Sequence, residues 1–225
     1  GEGKKEKLVL RPEGTMGFLR YVAQSTPRSL PFKAHYYGKM YRCETPQFGR
    51  SREFWQFGVE CIDTTPASSS PSAIHDVECI LLGHSIMSTL FPNQEYFKNS
   101  NNKGTWKLHL NTLGNSSDLA RFSEALELFF EDKVGLLSPD SQKRVHRKNF
   151  LRILDSKDPQ DQELMNDPSF PSPKNYLSNA SLERFEGIKQ TLDSVGVNYV
   201  EDERLVRGLD YYSDTVFEFV YEREG

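Results

Sequence analysis

The chain has 225 residues, with 28 Lys plus Arg against 32 Asp plus Glu for a formal charge of -4, and three cysteines. That length can bury a core either as one large domain or as a core carrying a smaller insertion, and the near-balanced charge removes any global electrostatic case for nucleic-acid binding. Cys43, Cys61 and Cys79 lack CxxC or Cys/His spacing, which argues against a disulfide framework or structural zinc and for reduced, mostly buried thiols; no apolar run approaches the roughly 20 residues of a membrane span, and the opening GEGKKEK is not a signal peptide, so a soluble intracellular protein is expected.

Leu8 to Leu10 reads as a short strand that delivers RPEGT into a turn, followed by a helix over Met16 to Gln24. Glu13 and Thr15 then stand at a strand-to-helix junction. Two readings apply to them: side chains projecting into a site, or a Thr N-cap with an acid favouring the helix N-terminus. Two strands of alternating character follow, Tyr36 to Cys43 and Phe54 to Ile62, joined by a loop with Glu44, Arg50, Arg52 and Glu53. Period 2 puts Trp55, Phe57, Val59 and Cys61 on one face, expected as core, and Phe54, Gln56, Gly58 and Glu60 on the other. Gly58 between an amide and a carboxylate leaves room for a ligand against the backbone, and Arg42 with the loop arginines rims that floor. A hairpin with one solvated face is the plainer alternative. The arginine-rich loop and the mixture of Phe54 and Ile62 with Gln56 and Glu60 favour a lined pocket that takes a polar organic molecule at one end and an anion at the other.

Thr64 to Ala73 is a Ser/Pro loop, and Ser72 to Leu90 spaces Ile74, Val77, Leu81 and Met87 or Ile86 as a helix, on which His75 and His84 have no i+4 partner for a metal. After an Asn-rich linker over 98–104, Trp106 to Leu113 alternates as a strand, with Trp106, Leu108 and Leu110 on one face and Lys107, His109 and Asn111 on the other. From about Asn115 to Val195 the chain turns helical. One stripe is Leu119, Phe122, Leu126 and Phe129; another is Leu182, Phe185, Ile188, Leu192 and Val195, stopped by Gly196. This stretch reads as a helical insertion, so the expected division is 1–114, 115–196 and 197–225. Within it KRVHRKNFLR, 143–152, holds five Lys or Arg and no acid. The run is either a solvated helix face or a phosphate-contacting surface that positions a nucleic acid without reading bases. Val197 to Tyr221 returns to strand composition, where Arg207 and Asp210 interrupt apolar neighbours, Gly208 permits close backbone approach and Tyr211 and Tyr212 supply two phenols. A buried arginine needs an anionic or carbonyl partner, and a second half-site facing the hairpin is the expected source.

Three stretches, LRPEGT (10–15), YRCETPQFGRSREFWQFGVE (41–60) and LVRGLDYY (205–212), resemble the motif-2 region and the two histidine-recognition segments of the histidyl-tRNA synthetases, which are class II aminoacyl-tRNA synthetases. The intervening helical stretch, with NFLRILDSKDP at 149–159, resembles the insertion of the bacterial form, and the likeness covers almost the whole chain. LVRGLDYY together with the hairpin is highly specific; RPEGT alone is weak. The resemblance implies an α+β fold built on a class II antiparallel sheet with flanking helices and a helical insertion. It implies activation of L-histidine by ATP with Mg²⁺ on the phosphates, then transfer to tRNA(His), by a homodimer in the cytoplasm or in an organelle matrix or stroma. Through it Arg42 meets the α-phosphate, Glu44 the adenine edge, Arg50 and Arg52 the outer phosphates, and Phe54 stacks on the base. Glu13 meets the substrate ammonium beside Gly14; Thr15, Gln56 and Glu60 line the histidine pocket; Tyr211 and Tyr212 close it; and Arg207, with Arg42, is catalytic. Lys143, Arg144, Arg147 and Lys148 become candidates for the acceptor stem.

An imidazole N–H donates to a carboxylate, and a site built on that bond rejects amino acids lacking it by leaving a charge unpaired, which makes Glu60 the expected specificity residue. The family's motif-1 and motif-3 elements and its anticodon-binding domain have no counterpart in the sequence, so the chain is expected not to activate histidine alone. Three rivals remain: a non-catalytic synthetase-like regulatory domain, a plain RNA-binding module using 143–152, and a structural αβ domain with an accidental pocket. The regulatory subunits generally lack the insertion and the intact LVRGLDYY, and both are present here.

Overall fold

A computed structural model describes residues 8–25, 27, 29–43, 45–47, 49–63, 73–91, 104–206 and 212–223. It divides into two units, 1–65 and 66–225.

In the first unit, helix α1 (Thr15–Ser25) precedes an antiparallel pair, β1 (Phe32–Tyr41) and β2 (Glu53–Ile62). The register sets Tyr36 opposite Gly58, Gly38 opposite Gln56 and Met40 opposite Phe54. Leu8–Leu10 form no strand and are exposed. The next residues are laced to the end of β1 instead: the Tyr41 amide donates to the Arg11 carbonyl (2.9 Å) and the Arg11 Nε to the Lys39 carbonyl (2.9 Å).

The alternation of β2 stands, but the covered face is the opposite of the one expected. Trp55 and Phe57 are 58% and 54% exposed, with Tyr37 stacked on Trp55 at 4.7 Å, whereas Met40 is buried and Phe54, Gln56, Gly58 and Glu60 are half-buried. The cause is long-range: the entry to α1 docks on the mixed face, where Phe18 stacks on Phe32 at 5.9 Å and Thr15 bonds Glu60. The thiols are not mostly buried as expected: Cys43 is exposed and Cys61 and Cys79 partly so, and none of the three is in a disulfide.

In the second unit, a three-stranded sheet runs β4 (Tyr199–Glu201), β3 (Gly104–Thr112), β5 (Thr215–Arg223). β5 is antiparallel to β3, while β4 is parallel to it, a pairing that demands the long crossover between them. Helices α2 (Ala73–Leu90) and α7 (Asn179–Ser194) cover this sheet, packing Val77, Ile80, Phe185, Ile188 and Leu192 around Leu108, Leu110 and Val197. On α2 the buried positions are Val77 and Ile80, and Ile74 of the expected stripe faces out. On α7 the buried centre of the stripe matches expectation, and the helix stops at Gly196, whose φ of 73° suits a residue without a Cβ.

Helices α3 (Ser116–Phe130), α4 (Pro139–His146), α5 (Leu151–Leu154) and α6 (Pro159–Met165) form a second core of Phe122, Leu126, Phe129, Phe130, Phe150, Ile153 and Met165. Each such side chain contributes about 1.5–3 kcal/mol on burial. Two buried acids tie these helices. Asp118 completes a capping box with Asn115 on α3 and accepts from the Ser178 amide and the Ser181 hydroxyl at the start of α7. Asp161 accepts from the Ser138 amide and from the hydroxyls of Ser138, Ser141 and Ser156. Burial pushes both carboxyls up, but the hydrogen bonds outweigh it and leave them below the usual range. The stretch expected as one insertion is thus shared: α3 to α6 carry their own core, while α7 completes that of the sheet. No helix among the described residues is long and apolar enough to cross a membrane.

Candidate active site on the hairpin

Glu13 spans the first amides of α1, accepting from Thr15 N at 2.6 Å and Met16 N at 2.9 Å. It therefore supplies the cap expected of Thr15 and satisfies donors that a helix start leaves open. Thr15 is released for another bond: its hydroxyl donates to Glu60 Oε1 at 2.7 Å and lies 3.4 Å from the Tyr36 hydroxyl. Burial pushes the Glu60 carboxyl above its ordinary value, the Thr15 bond pulls it back, and the nearby Glu13 charge pushes it up again, for a net rise.

Gln56, four residues before Glu60 on the same face with Gly58 between them, has a buried Oε1 with no hydrogen-bond partner among the described residues. Leaving such an acceptor unpaired costs about 1–3 kcal/mol, so an arriving donor is favoured there. The space beside Gly58 is not open for a ligand, as the sequence suggested. The Tyr36 ring fills it, wedged so tightly that a Cβ on Gly58 or on Gly14 would come within 2.1 or 2.2 Å of a ring carbon. Tyr36 was not among the expected site residues; its signal was its register opposite Gly58, which needs the hairpin pairing rather than the strand pattern alone.

At the other end Arg42 donates from Nε to the Pro12 carbonyl at 3.0 Å and holds its guanidinium 4.8 Å from the Phe54 ring centroid. Its amide pairs with the Arg52 carbonyl, and Gln47 and Arg50 exchange backbone bonds of 3.1 and 2.9 Å. Arg50 and Arg52 are exposed, while Glu44 lies outside the described residues. One face of the first unit thus brings together Glu13, Thr15, Tyr36, Gln56 and Glu60, with Arg42 and Phe54 farther along the strands. It offers hydrogen-bond acceptors with a carboxylate at one end and a guanidinium at the other.

In the second unit, Arg207, Gly208, Asp210 and Tyr211 lie outside the described residues. Tyr212 is half-buried and packs with Leu113, Leu205 and Val216. The buried amide of Asn111 donates to the carbonyls of Glu203 and Leu205 at 3.3 and 3.0 Å, a role its strand alternation did not announce. The basic run does not form one strip of cations. Lys143 pairs with Asp140 at 2.9 Å, Lys148 with Glu127 at 3.0 Å, Arg144 donates to the Arg152 carbonyl at 2.7 Å, and Arg147 is exposed.

A family profile described as histidyl-tRNA synthetase matches residues 2–225. A histidine–tRNA ligase of Lactobacillus delbrueckii subsp. bulgaricus is 42% identical over 219 residues, 96% of this chain and 46% of that protein. One from Gluconobacter oxydans is 38% identical over 221 residues, covering 98% of this chain and 49% of the relative. The crystal structure of apo Staphylococcus aureus histidyl-tRNA synthetase superposes with a TM-score of 0.60 at 29% identity, over 93% of this chain and 44% of that one. The chain spans about half the length of the curated relatives it matches.

Proposed function

Since the chain belongs to the histidyl-tRNA synthetase family, with the α+β class II fold of its structural neighbour, we propose that the polypeptide carrying it is a histidine–tRNA ligase. In this reading the hairpin floor receives L-histidine and ATP. Glu60 accepts the imidazole N–H, and the orphaned Gln56 Oε1 accepts a donor of the same substrate, with Thr15 and Tyr36 fixing the carboxylate that does the recognition. Glu13 turns its charge towards the substrate ammonium while still capping α1. Arg42 meets the α-phosphate, Arg50 and Arg52 the outer phosphates, and Phe54 the adenine, with Glu44 at its edge.

The histidine carboxylate oxygen attacks the α-phosphorus, a P–O bond forms, and pyrophosphate leaves with the electron pair of the bond it breaks. The fixed charge of Arg42, joined by Arg207, stabilises the negative charge that develops, so the step asks for positioning and electrostatics rather than a nucleophilic side chain. A terminal ribose hydroxyl of tRNA(His) then attacks the acyl carbon and AMP departs. Mg²⁺ enters as counter-ion of the ATP phosphates, and no residue of this chain is assigned to it. Tyr211 and Tyr212 close the histidine pocket, and Lys143, Arg144, Arg147 and Lys148 contact the acceptor stem as separate charges. The working form is a homodimer in the cytoplasm or, alternatively, in an organelle matrix or stroma.

The observation that carries this reading is the unpaired Gln56 acceptor on the same strand face as a Glu60 carboxyl held above its ordinary value, with the Tyr36 ring against Gly58 between them. The test is histidine-dependent pyrophosphate exchange by a polypeptide of the relatives' length. Exchange with histidine and none with alanine or glutamine is expected; equal exchange with all three, or none, overturns the assignment.

A further inference from the structure

Arg11 brings a second guanidinium to the hairpin floor, apart from that of Arg42. Its Nε donates to the Lys39 carbonyl at 2.9 Å, and the main chain beside it is tied to β1 independently, since the Tyr41 amide donates to the Arg11 carbonyl at 2.9 Å. The side chain comes down on the strand at Gly38, which is buried: a Cβ there would lie 2.5 Å from Arg11 Nη2 and 3.5 Å from Cζ, so only a residue without a side chain admits the guanidinium. Gly38 stands opposite Gln56 in the register, and opposite residues of an antiparallel pair share a face with their Cβ positions about 4.5–5.5 Å apart. Arg11 Nη2 therefore lies on the face that carries the unpaired Gln56 Oε1. Along that face the order is Glu60, then Gly58 under the Tyr36 ring, then Gln56 with Arg11 on Gly38, then Phe54 with Arg42 near its ring.

Among the described residues the Nη groups of Arg11 have no hydrogen-bond or ion-pair partner. The acids beside it are engaged elsewhere: Glu13 holds the Thr15 and Met16 amides, and Glu53 pairs with Lys39 at 2.8 Å. A tether would need the Nε bond alone and would tolerate a side chain at position 38. A guanidinium fixed at Nε presents its Nη groups as a fork that fits the two oxygens of a carboxylate or a phosphate. We propose that Arg11 is a further substrate-binding residue of this floor and takes an oxyanion at its centre, the carboxylate of the amino acid. The inference rests on the reading above, which sets the imidazole at Glu60 and the α-phosphate at Arg42, so that the carboxylate and the phosphorus it attacks meet at the level of Gln56 and Gly38. An unpaired acceptor at Gln56 beside a fork of donors at Arg11 matches the ammonium and the carboxylate that an amino acid carries on one carbon. A second cation there also offsets the repulsion between that carboxylate and the phosphate. The same fork fits an α-phosphate oxygen, and the two sources of oxyanion are separable by ligand.

The experiment takes a synthetase-length polypeptide with Arg11→Gln, Gly38→Ala and the double variant, titrated calorimetrically with histidine, histidinol and AMP, with melting midpoints and pyrophosphate exchange alongside. Histidinol keeps the ammonium and the imidazole but has no carboxylate. Arg11→Gln raises the Kd for histidine about tenfold or more and leaves those for histidinol and AMP within about twofold. A rise for AMP with histidine unchanged assigns the fork to the α-phosphate instead and keeps Arg11 as an oxyanion-binding residue. Gly38→Ala displaces the guanidinium and weakens the same ligand with the melting midpoint little changed, and the double variant loses no more than Arg11→Gln alone, since both act through one group. Equal weakening of all three ligands, or a loss that tracks a lowered midpoint, overturns the proposal by making Arg11 a tether of the chain. Unchanged binding of all three, or a Gly38→Ala variant that binds every ligand as the parent does, overturns it as well. A parent polypeptide that exchanges no pyrophosphate with histidine sinks the functional reading. Arg11 is then judged on AMP, where an equal Kd in parent and Arg11→Gln, or binding to neither, refutes it.

Discussion

Replacing Glu60 by glutamine separates recognition from stability with nearly no change of shape. In the free protein Glu60 Oε1 accepts the Thr15 hydroxyl at 2.7 Å, and an amide oxygen can accept the same bond. The Glu60 carboxyl is raised chiefly by burial, so its charge opposes folding above its folded-state value. The sign follows from proton binding. The native state holds this proton more tightly than the unfolded chain, so this group's contribution favours the wild type below the ordinary glutamate value of about 4.3 and is lost as pH rises through the raised folded value. At neutral pH Glu60→Gln therefore leaves the first unit as stable as the wild type or more so.

Substrate recognition moves the other way. Exchanging a charged acceptor for a neutral one on the imidazole N–H forgoes about 1–2 kcal/mol. That is about a 5- to 30-fold fall in kcat/KM for histidine. Glu60→Ala leaves the N–H without a partner and costs about 3 kcal/mol, or about 150-fold. Pyrophosphate exchange against histidine concentration, with melting midpoints from pH 4 to 8 alongside, reads both quantities. Histidine kinetics within about twofold of wild type for Glu60→Gln, or a loss that tracks a lowered midpoint, would refute the role given to this carboxylate.

Three further outcomes are expected. Gly58→Ala forces the Tyr36 ring from its slot and destabilises the first unit by about 1–3 kcal/mol in thermal or urea unfolding, with Gly14→Ala acting on the same ring and the pair less than additive. Asp161→Asn sets an amide donor against the three serine hydroxyls on Oδ2 and destabilises the second unit by about 2–4 kcal/mol. Because Asp118 and Asp161 are held below the usual range, their stabilisation is complete above the ordinary aspartate value of about 3.9 and is lost as pH falls through the depressed values, so Asp161→Asn flattens the acid limb of the stability curve. Arg42→Lys keeps a charge but loses the planar group over Phe54 and its Nε bond to Pro12; the KM for ATP rises about tenfold in the synthetase-length polypeptide with the melting midpoint little changed.

Short-range pattern was enough for most of the elements, though not for Leu8–Leu10, which form no strand, and it set Gln56 and Glu60 on one face of the hairpin. Alternation marked both hairpin strands, helical spacing marked α3 and α7, and Glu13, Thr15, Gln56 and Glu60 gather on one face of the first unit. Which face of the hairpin is covered was not legible, because the alternation of Trp55, Phe57 and Val59 against Phe54, Gln56 and Glu60 sorts side chains without saying what docks on them. That was decided by the entry to α1, about forty residues away, which brought Thr15 to Glu60, made Glu13 the helix cap and wedged Tyr36 between two glycines.

The same division holds in the second unit. Sequence periodicity identifies α7 as a helix with a buried stripe, but only packing assigns that stripe to the sheet rather than to the neighbouring helical core, and only the fold brings Arg184 to Asp76 and Arg204 to the end of α6. A residue's local conformation and polarity are set within a few positions along the chain. Its burial, its partner and its proton affinity are set by groups that folding carries in from far away, and these latter properties are what the proposed chemistry uses.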